Sequence, residues 1–158
     1  MKFTIFGASG FIGSSLVKFL RQKGHEVFTP SRDLRSFDGA YLGHVIYSIG
    51  LTGNFRKFPF QAVEAHVSEL SKRMQNANCE SWLYLSSTRI YRTSMNHARE
   101  IDSVTVLPGA DGLYDISKLL GESLCLSQDT PTVRVARLSN VYGFGQSPHT
   151  FLGSLLKD

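Results

Sequence analysis

Two side chains with complementary chemistry stand four residues apart in the segment Tyr114-Asp-Ile-Ser-Lys118. Apolar residues recur at helical spacing through this stretch, which predicts a helix over 114–127. Residues four apart lie on one face of a helix, so the Lys118 ammonium is expected near the Tyr114 phenol. A neighbouring cation favours the phenolate and lowers the tyrosine pKa, which suits general acid or base catalysis on a carbinol or carbonyl. The spacing alone is common and carries little information.

A cluster of hydroxyl side chains, Ser86, Ser87 and Thr88, follows the apolar residues 82–85. The apolar run predicts a strand, and open α/β sheets bind their ligands at the carboxyl ends of their strands. A hydroxyl at that place can hydrogen-bond a substrate oxygen. On its own, such a cluster is more often a turn that ends a strand.

Three glycines punctuate the N-terminal stretch that reads Gly7-Ala-Ser-Gly-Phe-Ile-Gly13. A short apolar run precedes Gly7, and an amphipathic helical pattern begins at about Phe11. This order predicts a strand, a tight turn and a helix. Glycine lets the backbone approach a pyrophosphate closely, and the free N–H groups at the start of the helix face the negative charge. The glycine spacing alone is a weak indication of nucleotide binding.

Together, four motifs in order resemble the extended short-chain dehydrogenase/reductases, the NAD-dependent epimerase/dehydratase family. They are the glycine turn at 7–13, the segment Leu85-Ser-Ser-Thr-Arg-Ile-Tyr91, the pair Tyr114 and Lys118, and Arg137-Leu-Ser-Asn-Val-Tyr-Gly143. The resemblance implies an α/β fold with a doubly wound, Rossmann-like parallel sheet. It also implies hydride transfer between NAD(P) and a nucleotide-sugar-type substrate.

The resemblance implies roles for particular residues. Tyr114 is the acid/base, Lys118 lowers the tyrosine pKa and binds the nicotinamide ribose, and Ser87 orients the substrate oxygen, with Thr88 as the alternative. The family's small-residue stretch after the next buried strand corresponds to 48–50 here. The expected cofactor-binding residues are Gly7, Ser9, Gly10, Phe11, Ile12, Gly13, Ser31, Arg32, Ser48, Ile49, Gly50, Tyr114 and Lys118. No metal ligand set is expected.

The choice between NADP and NAD depends on the residues after the second predicted strand, 26–29. An acid at this place accepts hydrogen bonds from a ribose diol, whereas a hydroxyl and a guanidinium suit a 2′-phosphate. Ser31 and Arg32 stand there, which favours NADP, and Asp33 keeps NAD open. The family's third strand and its helix have little room in residues 31–43, where only a remnant around 33–34 is expected.

Several further segments have expected places in this fold. Residues 44–50 and 132–136 are predicted strands, 60–74 is a predicted helix, and a short helix is expected at 151–157. His66 occupies the position of the family's relay asparagine and is interpreted as a partly buried, hydrogen-bonded residue without an assigned catalytic role. Residues 92–113 are a predicted surface loop that could form a substrate-side lid. Arg89, before this loop, and Arg92 and Arg99 within it could meet a substrate phosphate, although exposed arginines are usually only solvated.

Composition narrows the class of protein. The chain has 158 residues, 42% of them apolar and 19% charged, and a formal net charge of +4. No stretch approaches the roughly 20 apolar residues of a membrane-spanning helix. The basic residues are scattered, which disfavours nucleic acid as a partner. Cys79 and Cys125 have no spacing for a disulfide framework or a zinc site, so both are interpreted as reduced thiols of a cytoplasmic protein.

Members of the family typically run to about twice this length. The sequence therefore predicts one NAD(P)-binding domain over 1–158, truncated before the substrate domain and inactive alone. Two alternatives stay open: a non-enzymatic NAD(P)-binding or interaction module, and a reductase of another carbonyl substrate. By resemblance, the helices near 60–76 and 114–127 are expected to pair in a homodimer.

Overall fold

In a computed structural model of the protein, five parallel strands form one sheet. The structure describes residues 1–33, 37–75, 77–93, 98–128, 132–143 and 146. The strands lie in the order β2-β1-β3-β4-β5. Their bounds are Lys2–Phe6 for β1, Glu26–Phe28 for β2, His44–Tyr47 for β3, Ser81–Ser87 for β4 and Val133–Leu138 for β5. This arrangement confirms the predicted doubly wound parallel sheet.

Helical segments follow β1, β3 and β4. Helix α1 spans Phe11–Gln22, and the predicted helix after β3 is one helical run made of α2 (Pro59–Val63), a π-helical segment (Glu64–Ser68) and α3 (Glu69–Met74). A 3-10 turn, Thr88–Tyr91, follows β4, and α4 spans Gly112–Leu126. The predicted helix at 151–157 lies outside the described residues. Within the part of the chain that the structure describes, no helix is long and apolar enough to cross a membrane.

One face of the sheet carries the main apolar core. Side chains alternate along each strand, so the paired residues of neighbouring strands share a face. On this face Phe6, Tyr47 and Trp82 contact one another through their rings, and Tyr84 adjoins Tyr47. The hydroxyl groups of Tyr47 and Tyr84 donate to backbone carbonyls of the π-helical segment. Burial of the rings therefore costs no unmet hydrogen bond at these two phenols.

The two halves of the sheet are covered from opposite sides. The chain moves in one direction along the sheet from β1 to β2, and in the other direction from β3 to β4 to β5. Right-handed crossovers then place α1 on one face and the α2–α3 run and α4 on the other. The direction reverses between β1 and β3. Ligands of doubly wound sheets bind at that switch point, beyond the carboxyl ends of the strands.

The connection between β2 and β3 is short, as expected. Its described residues, 29–33 and 37–43, contain no strand beyond an isolated bridge between Tyr41 and Asn78. Strand β2 is therefore an edge strand in the described part of the sheet, and it is only three residues long. Phe37 packs edge-on against Phe6, so the connection contributes one ring to the main core. The expected strand remnant is not present at Asp33, and its second residue, 34, lies outside the described residues.

The junction of β1 and α1 requires glycine at two positions. Gly7 has a φ of +85°, and a Cβ atom at Gly13 would lie 2.1 Å from the carbonyl oxygen of Gly7. Both atoms in that clash are held by backbone, so no side-chain rotation can relieve it. Helix α1 therefore packs against the turn after β1 with no room for a side chain at Gly13.

We expect Gly13→Ala to lower the free energy of unfolding by about 2–4 kcal/mol, because the added methyl group forces α1 away from β1. Gly53→Ala is the matched control, since a Cβ atom there meets nothing within 4 Å. It should change stability by about 0.5 kcal/mol or less. Urea unfolding followed by circular dichroism measures both. Equal stabilities of the two variants would contradict the close packing of helix and strand.

Candidate functional site

A cleft of about 730 Å³ opens at the carboxyl end of the sheet. Its walls come from the turn after β1, the loop after β3, the end of β4 and the residues after β5. Predicted site residues that line it are Gly10, Phe11, Ile12, Ser48, Ile49, Gly50, Ser87, Tyr114 and Lys118. Four separate sequence motifs thus meet in one cavity. The predicted residues Gly7, Ser9, Gly13, Ser31 and Arg32 do not line this cleft.

The start of α1 is built to hold an anion. Gly10 is the N-cap residue, it has no side chain to cap the helix, and the first turn contains no acid. The N–H groups of the first helical residues have no acceptor within the helix. Phe11 and Ile12 bring that end of the helix to the wall of the cleft. Exposed donors and the positive end of the helix dipole favour a phosphate group there.

The floor of the cleft is fixed by Ser48 and Gly50. The Ser48 hydroxyl donates to the carbonyl of Phe6 at 2.7 Å, beneath the glycine turn. A Cβ atom on Gly50 would come within 3.5 Å of His66 Nε2 and 3.6 Å of Lys118 Nζ. Ser48 therefore ties β3 to β1, and Gly50 lies next to two buried nitrogen-bearing side chains.

Tyr114 is almost fully buried on the cleft wall, 2% exposed. Its ring contacts Phe55 and stands perpendicular to the ring of His66, each with centroids 5.1 Å apart. Burial raises the pKa of Tyr114, while the Ser87 hydroxyl and the Arg89 guanidinium act in the lowering direction. The expected lowering of this pKa by Lys118 is not what the structure shows. At neutral pH the phenol carries its proton.

The ammonium of Lys118 is held by a backbone carbonyl. It donates to the backbone carbonyl of Leu85 at 3.0 Å and lies 5.0 Å from the centre of the Tyr84 ring. Burial lowers the pKa of Lys118 to about 8, and the carboxylate of Glu122 opposes this shift. Lys118 is therefore a cation at neutral pH, although its buried position favours the neutral amine. An anionic or hydroxyl-bearing ligand in the cleft would stabilise it.

His66 connects the loop after β3 to α4 from a fully buried position. The N–H of Leu51 donates to Nε2 at 3.2 Å, and Nδ1 lies 2.8 Å from the Ser117 hydroxyl. That hydroxyl donates to the carbonyl of Tyr114 at 2.8 Å, which assigns the imidazole proton to Nδ1. Burial, followed by the charge of Lys118, lowers the pKa of His66 to about 3. Its neutral ring supports the backbone of Tyr114, in agreement with its interpretation as a buried, hydrogen-bonded residue.

The three residues of the hydroxyl cluster differ in the hydrogen bonds that they form. Ser87 accepts a hydrogen bond from the N–H of Arg89 at 3.2 Å and lines the cleft together with Tyr114. Thr88 donates its proton to the carbonyl of Leu138 at 3.3 Å. Ser86 is 5% exposed, and its oxygen has no hydrogen-bond partner among the described residues. Because Thr88 bonds to β5, the geometry favours Ser87 over Thr88 as the group that faces a substrate oxygen.

Arg89 and Asp115 are site residues that the sequence reasoning did not assign. Arg89 lines the cleft with its guanidinium 5.6 Å from the centre of the Tyr114 ring. Asp115 is buried and pairs with Arg89 at 3.2 Å and with Arg92 at 2.7 Å. The sequence did contain a pattern that indicates this ion-pair cluster: an acid stands directly after Tyr114, and two arginines follow the end of β4. Arg92 also lies 3.9 Å from the carboxylate of Asp111, so the two guanidinium groups share two acidic partners.

Arg137 has a structural role, although its motif reaches the cleft. Its guanidinium forms an ion pair with Glu122 at 2.7 Å and also bonds to the Tyr91 hydroxyl and to the Glu100 carbonyl. These contacts join β5, α4 and the 3-10 turn. Leu138, Ser139, Asn140 and Val141, which follow in the same motif, line the cleft. The motif therefore combines an anchor with four wall residues.

The predicted ribose-side turn lies outside the cleft described above. Its hydroxyl group, on Ser31, accepts a hydrogen bond from the N–H of Asp33 at 3.2 Å. Arg32 is exposed, and its carbonyl accepts a hydrogen bond from Arg73 of α3. The turn thus presents an arginine to solvent while its backbone is attached to the interior.

Comparison with known proteins gives a family match for the N-terminal part of the chain. Residues 3–71 match the model of the NAD dependent epimerase/dehydratase family, which confirms the predicted resemblance over the glycine turn, β3 and the helical run. Tyr114 and Lys118 lie beyond the matched residues. No curated protein matches the chain.

Solved structures share the fold. MoeE5 in complex with UDP-glucose and NAD is 24% identical, with a TM-score of 0.78, over 99% of this chain and 60% of its own. UDP-glucuronic acid 4-epimerase from Bacillus cereus, in complex with UDP-glucuronic acid and NAD, is 18% identical with a TM-score of 0.79, over 99% of this chain and 62% of its own. RMD from Pseudomonas aeruginosa complexed with NADPH is 22% identical with a TM-score of 0.72, over 95% of this chain and 57% of its own. The chain therefore spans about 60% of the length of these structures.

The buried His66 predicts a specific dependence of stability on pH. The unfolded chain takes up a proton on this residue below about pH 6.5, whereas the native protein does not until about pH 3. The free energy of unfolding therefore falls as the pH drops through that window, by at most about 1.4 kcal/mol per pH unit. Between pH 7.5 and 5, we expect the fall in the wild type to exceed that in His66→Gln by about 2 kcal/mol.

Urea unfolding at five pH values measures this difference. His25→Gln, whose ring packs on Phe3 away from the network, is the matched control and should keep the pH dependence of the wild type. Parallel pH profiles for the wild type and His66→Gln would refute a neutral, buried imidazole.

Proposed function

We propose that this chain is the NAD(P)-binding portion of an extended short-chain dehydrogenase/reductase that acts on a nucleotide sugar. The observation that carries the proposal is the shared cleft. The helix end suited to a pyrophosphate and the Ser87, Tyr114 and Lys118 side chains open into one cavity at the switch point of the sheet. An anion site alone indicates nucleotide binding, whereas an acid/base set on the same wall indicates chemistry at the bound ligand.

The residues of the cleft fit a dinucleotide. The N–H groups at the start of α1 would hold the pyrophosphate, and Gly7 and Gly13 bring that helix end next to β1. Ser48, Ile49 and Gly50 would lie beneath the nicotinamide half, and Lys118 would bind its ribose hydroxyls. Ser31 and Arg32 would face the adenosine ribose, which favours NADP over NAD. The bound nicotinamide would supply hydride transfer to and from a sugar carbon.

In this proposal, residues of the chain hold and transfer one proton, that of the Tyr114 phenol. Tyr114 carries its proton at neutral pH and donates it from Oη to a substrate carbonyl oxygen, or accepts a proton there in the oxidative direction. Ser87 donates a hydrogen bond to the same oxygen and orients it. Arg89 and its partner Asp115 hold a guanidinium against the ring of Tyr114, where a positive charge stabilises the phenolate. Lys118 keeps the ribose, and with it the reacting carbon, in place.

The proposed substrate is a nucleotide sugar, since UDP-glucose and UDP-glucuronic acid are bound in two of the similar structures. The chain spans about 60% of those structures, so we propose that it forms one cofactor-binding domain over 1–158 and that further sequence completes the substrate site. For this reason we expect the 158-residue chain alone to show little or no turnover. A cytoplasmic location stays a prediction, with Cys79 and Cys125 both free thiols.

A homodimer is part of the proposal. Phe60 of α2 is 86% exposed, and Ile116 and Leu120 of α4 are partly exposed, on helices that contact each other. Apolar side chains on neighbouring helices suit a self-complementary contact between two copies. Sedimentation velocity that shows only monomer at micromolar concentration would count against it.

The cofactor proposal predicts that the purified chain binds NADPH more tightly than NADH. The Arg32 guanidinium can pair with the 2′-phosphate of NADPH only, so we expect at least about a tenfold difference in Kd. Titration followed by nicotinamide fluorescence measures both affinities. Arg32→Gln is the informative variant and Lys57→Gln, on the loop after β3, is its charge-matched control. Arg32→Gln should bring the two affinities together, whereas Lys57→Gln should not.

Equal or reversed preference in the wild type would assign the ribose contact to Asp33 and NAD to the site. Binding of neither dinucleotide would overturn the proposed function.

The acid/base proposal predicts the effect of Tyr114→Phe in the full-length enzyme. Loss of the phenolic proton should reduce kcat by about 10²–10⁴. The Kd for NADPH should stay within about twofold, because the ring remains against Phe55 and His66. Tyr142→Phe, an exposed tyrosine, is the matched control. Activity left unchanged by Tyr114→Phe would favour the alternative, a non-enzymatic NAD(P)-binding module.

A further inference from the structure

The ribose-side turn is held by a buried arginine from the far end of the helical run. Nη2 of Arg73 donates to the carbonyl of Arg32 at 3.2 Å, across 41 residues of sequence. We infer that Arg73 is a positioning residue, which sets the Ser31 and Arg32 side chains for the 2′-position of the cofactor. The inference rests on the proposed function and adds a residue that makes no contact with the cofactor cleft described above.

The guanidinium of Arg73 is buried between two aromatic rings and bonded to a carboxylate. Arg73 is 2% exposed, and its guanidinium carbon lies 5.1 Å from the centre of the Phe6 ring and 5.5 Å from that of Phe37. Nη2 also donates to the carboxylate of Glu69 at 2.6 Å. One ring belongs to β1 and the other to the connection after β2. Arg73 therefore joins the sheet, α3 and the ribose-side connection through one rigid planar group.

Packing alone does not explain an arginine at this position. Its Nε and Nη1 are buried and have no hydrogen-bond partner among the described residues. A buried donor without a partner is unfavourable, and an apolar side chain of similar length would avoid it. What the guanidinium adds over such a side chain is the pair with Glu69 and the bond to the Arg32 carbonyl. Of these two, only the second reaches the turn.

The turn needs this bond because the described part of the connection contains no strand to hold it. Strand β2 ends at Phe28, four residues before Arg32, and 29–33 form no ladder with a neighbouring strand. Without Arg73, the Arg32 carbonyl loses the contact that attaches it to the interior. Since Arg32 is exposed, its guanidinium would then sample positions away from a bound 2′-phosphate.

This geometry predicts a selective effect on cofactor affinity. NADPH and NADH share the pyrophosphate, the nicotinamide and both riboses, and they differ only in the 2′-phosphate. A change that merely destabilises the domain should weaken both dinucleotides by the same factor. Loss of positioning at Arg32 should weaken NADPH by about tenfold and NADH by less than about twofold.

The test compares Kd values for NADPH and NADH in the purified chain and three variants. Arg73→Met keeps the apolar stem between Phe6 and Phe37 and removes the guanidinium. Arg73→Lys keeps the charge, but the lysine side chain is one bond shorter, so its ammonium falls short of the Nη2 position that donates to both Glu69 and the Arg32 carbonyl. We therefore expect a partial loss of about threefold for NADPH. Lys72→Met removes the neighbouring cation, which also pairs with Glu69 at 3.3 Å from the exposed side of the helix. It should leave the ratio of the two Kd values unchanged.

Circular dichroism and thermal unfolding show which variants are folded, and Arg73→Lys carries the comparison where Arg73→Met does not fold. A selective loss of NADPH affinity in the Arg73 variants, absent from Lys72→Met, supports the inference. An equal loss for both dinucleotides, no loss, or the same loss in Lys72→Met overturns it. A wild-type chain that binds neither dinucleotide overturns the proposed function before any variant is compared.

Discussion

The close approach of α1 to β1 determines where every other part of the site can lie. Gly13 stands where a Cβ atom would be 2.1 Å from the Gly7 carbonyl, so the helix begins directly beside the end of β1. That contact aims the first helical N–H groups at the switch point between β1 and β3. Ser48 then bonds to the Phe6 carbonyl below the same turn and fixes the loop that forms the floor. A side chain at either glycine would separate the anion site from the acid/base wall, the side of the cleft that carries Ser87, Tyr114 and Lys118.

The acid/base wall is held by polar groups that are costly to bury. Lys118 keeps a charge where burial lowers its pKa to about 8, and His66 is kept neutral by a pKa near 3. An apolar core at both positions would be more stable, so stability does not explain their presence. What the arrangement provides is order, because His66 fixes Leu51 and Ser117, and Ser117 fixes the backbone of Tyr114. A side chain that must present one proton benefits from such support.

Sequence reasoning recovered the parts of the site that depend on local spacing. The glycine turn, the buried parallel strands and the helix that carries Tyr114 follow from short-range patterns, and the parallel sheet confirms them. The orientation of Lys118 did not follow, because a four-residue spacing fixes the face of a helix and not the direction of a long side chain. In the fold that ammonium meets the Leu85 carbonyl, which lies 33 residues away in sequence. The guanidinium of Arg89 lies 5.6 Å from the centre of the Tyr114 ring, a contact that the spacing did not indicate.

Long-range polar contacts account for the other differences. Arg137 belongs to one of the four motifs, yet its partner Glu122 lies on α4, and only the packing of α4 against β5 brings the two together. Arg73 carries no motif at all. Its contacts with Phe6, Phe37 and Arg32 require the sheet, the helical run and the short connection to be assembled first. The sequence predicted that this connection is short, but it did not predict which residue would hold the ribose-side turn. With no neighbouring strand in the described part of the connection, the ribose-side turn depends on a side chain from another element, and cofactor preference becomes a property of the assembled fold.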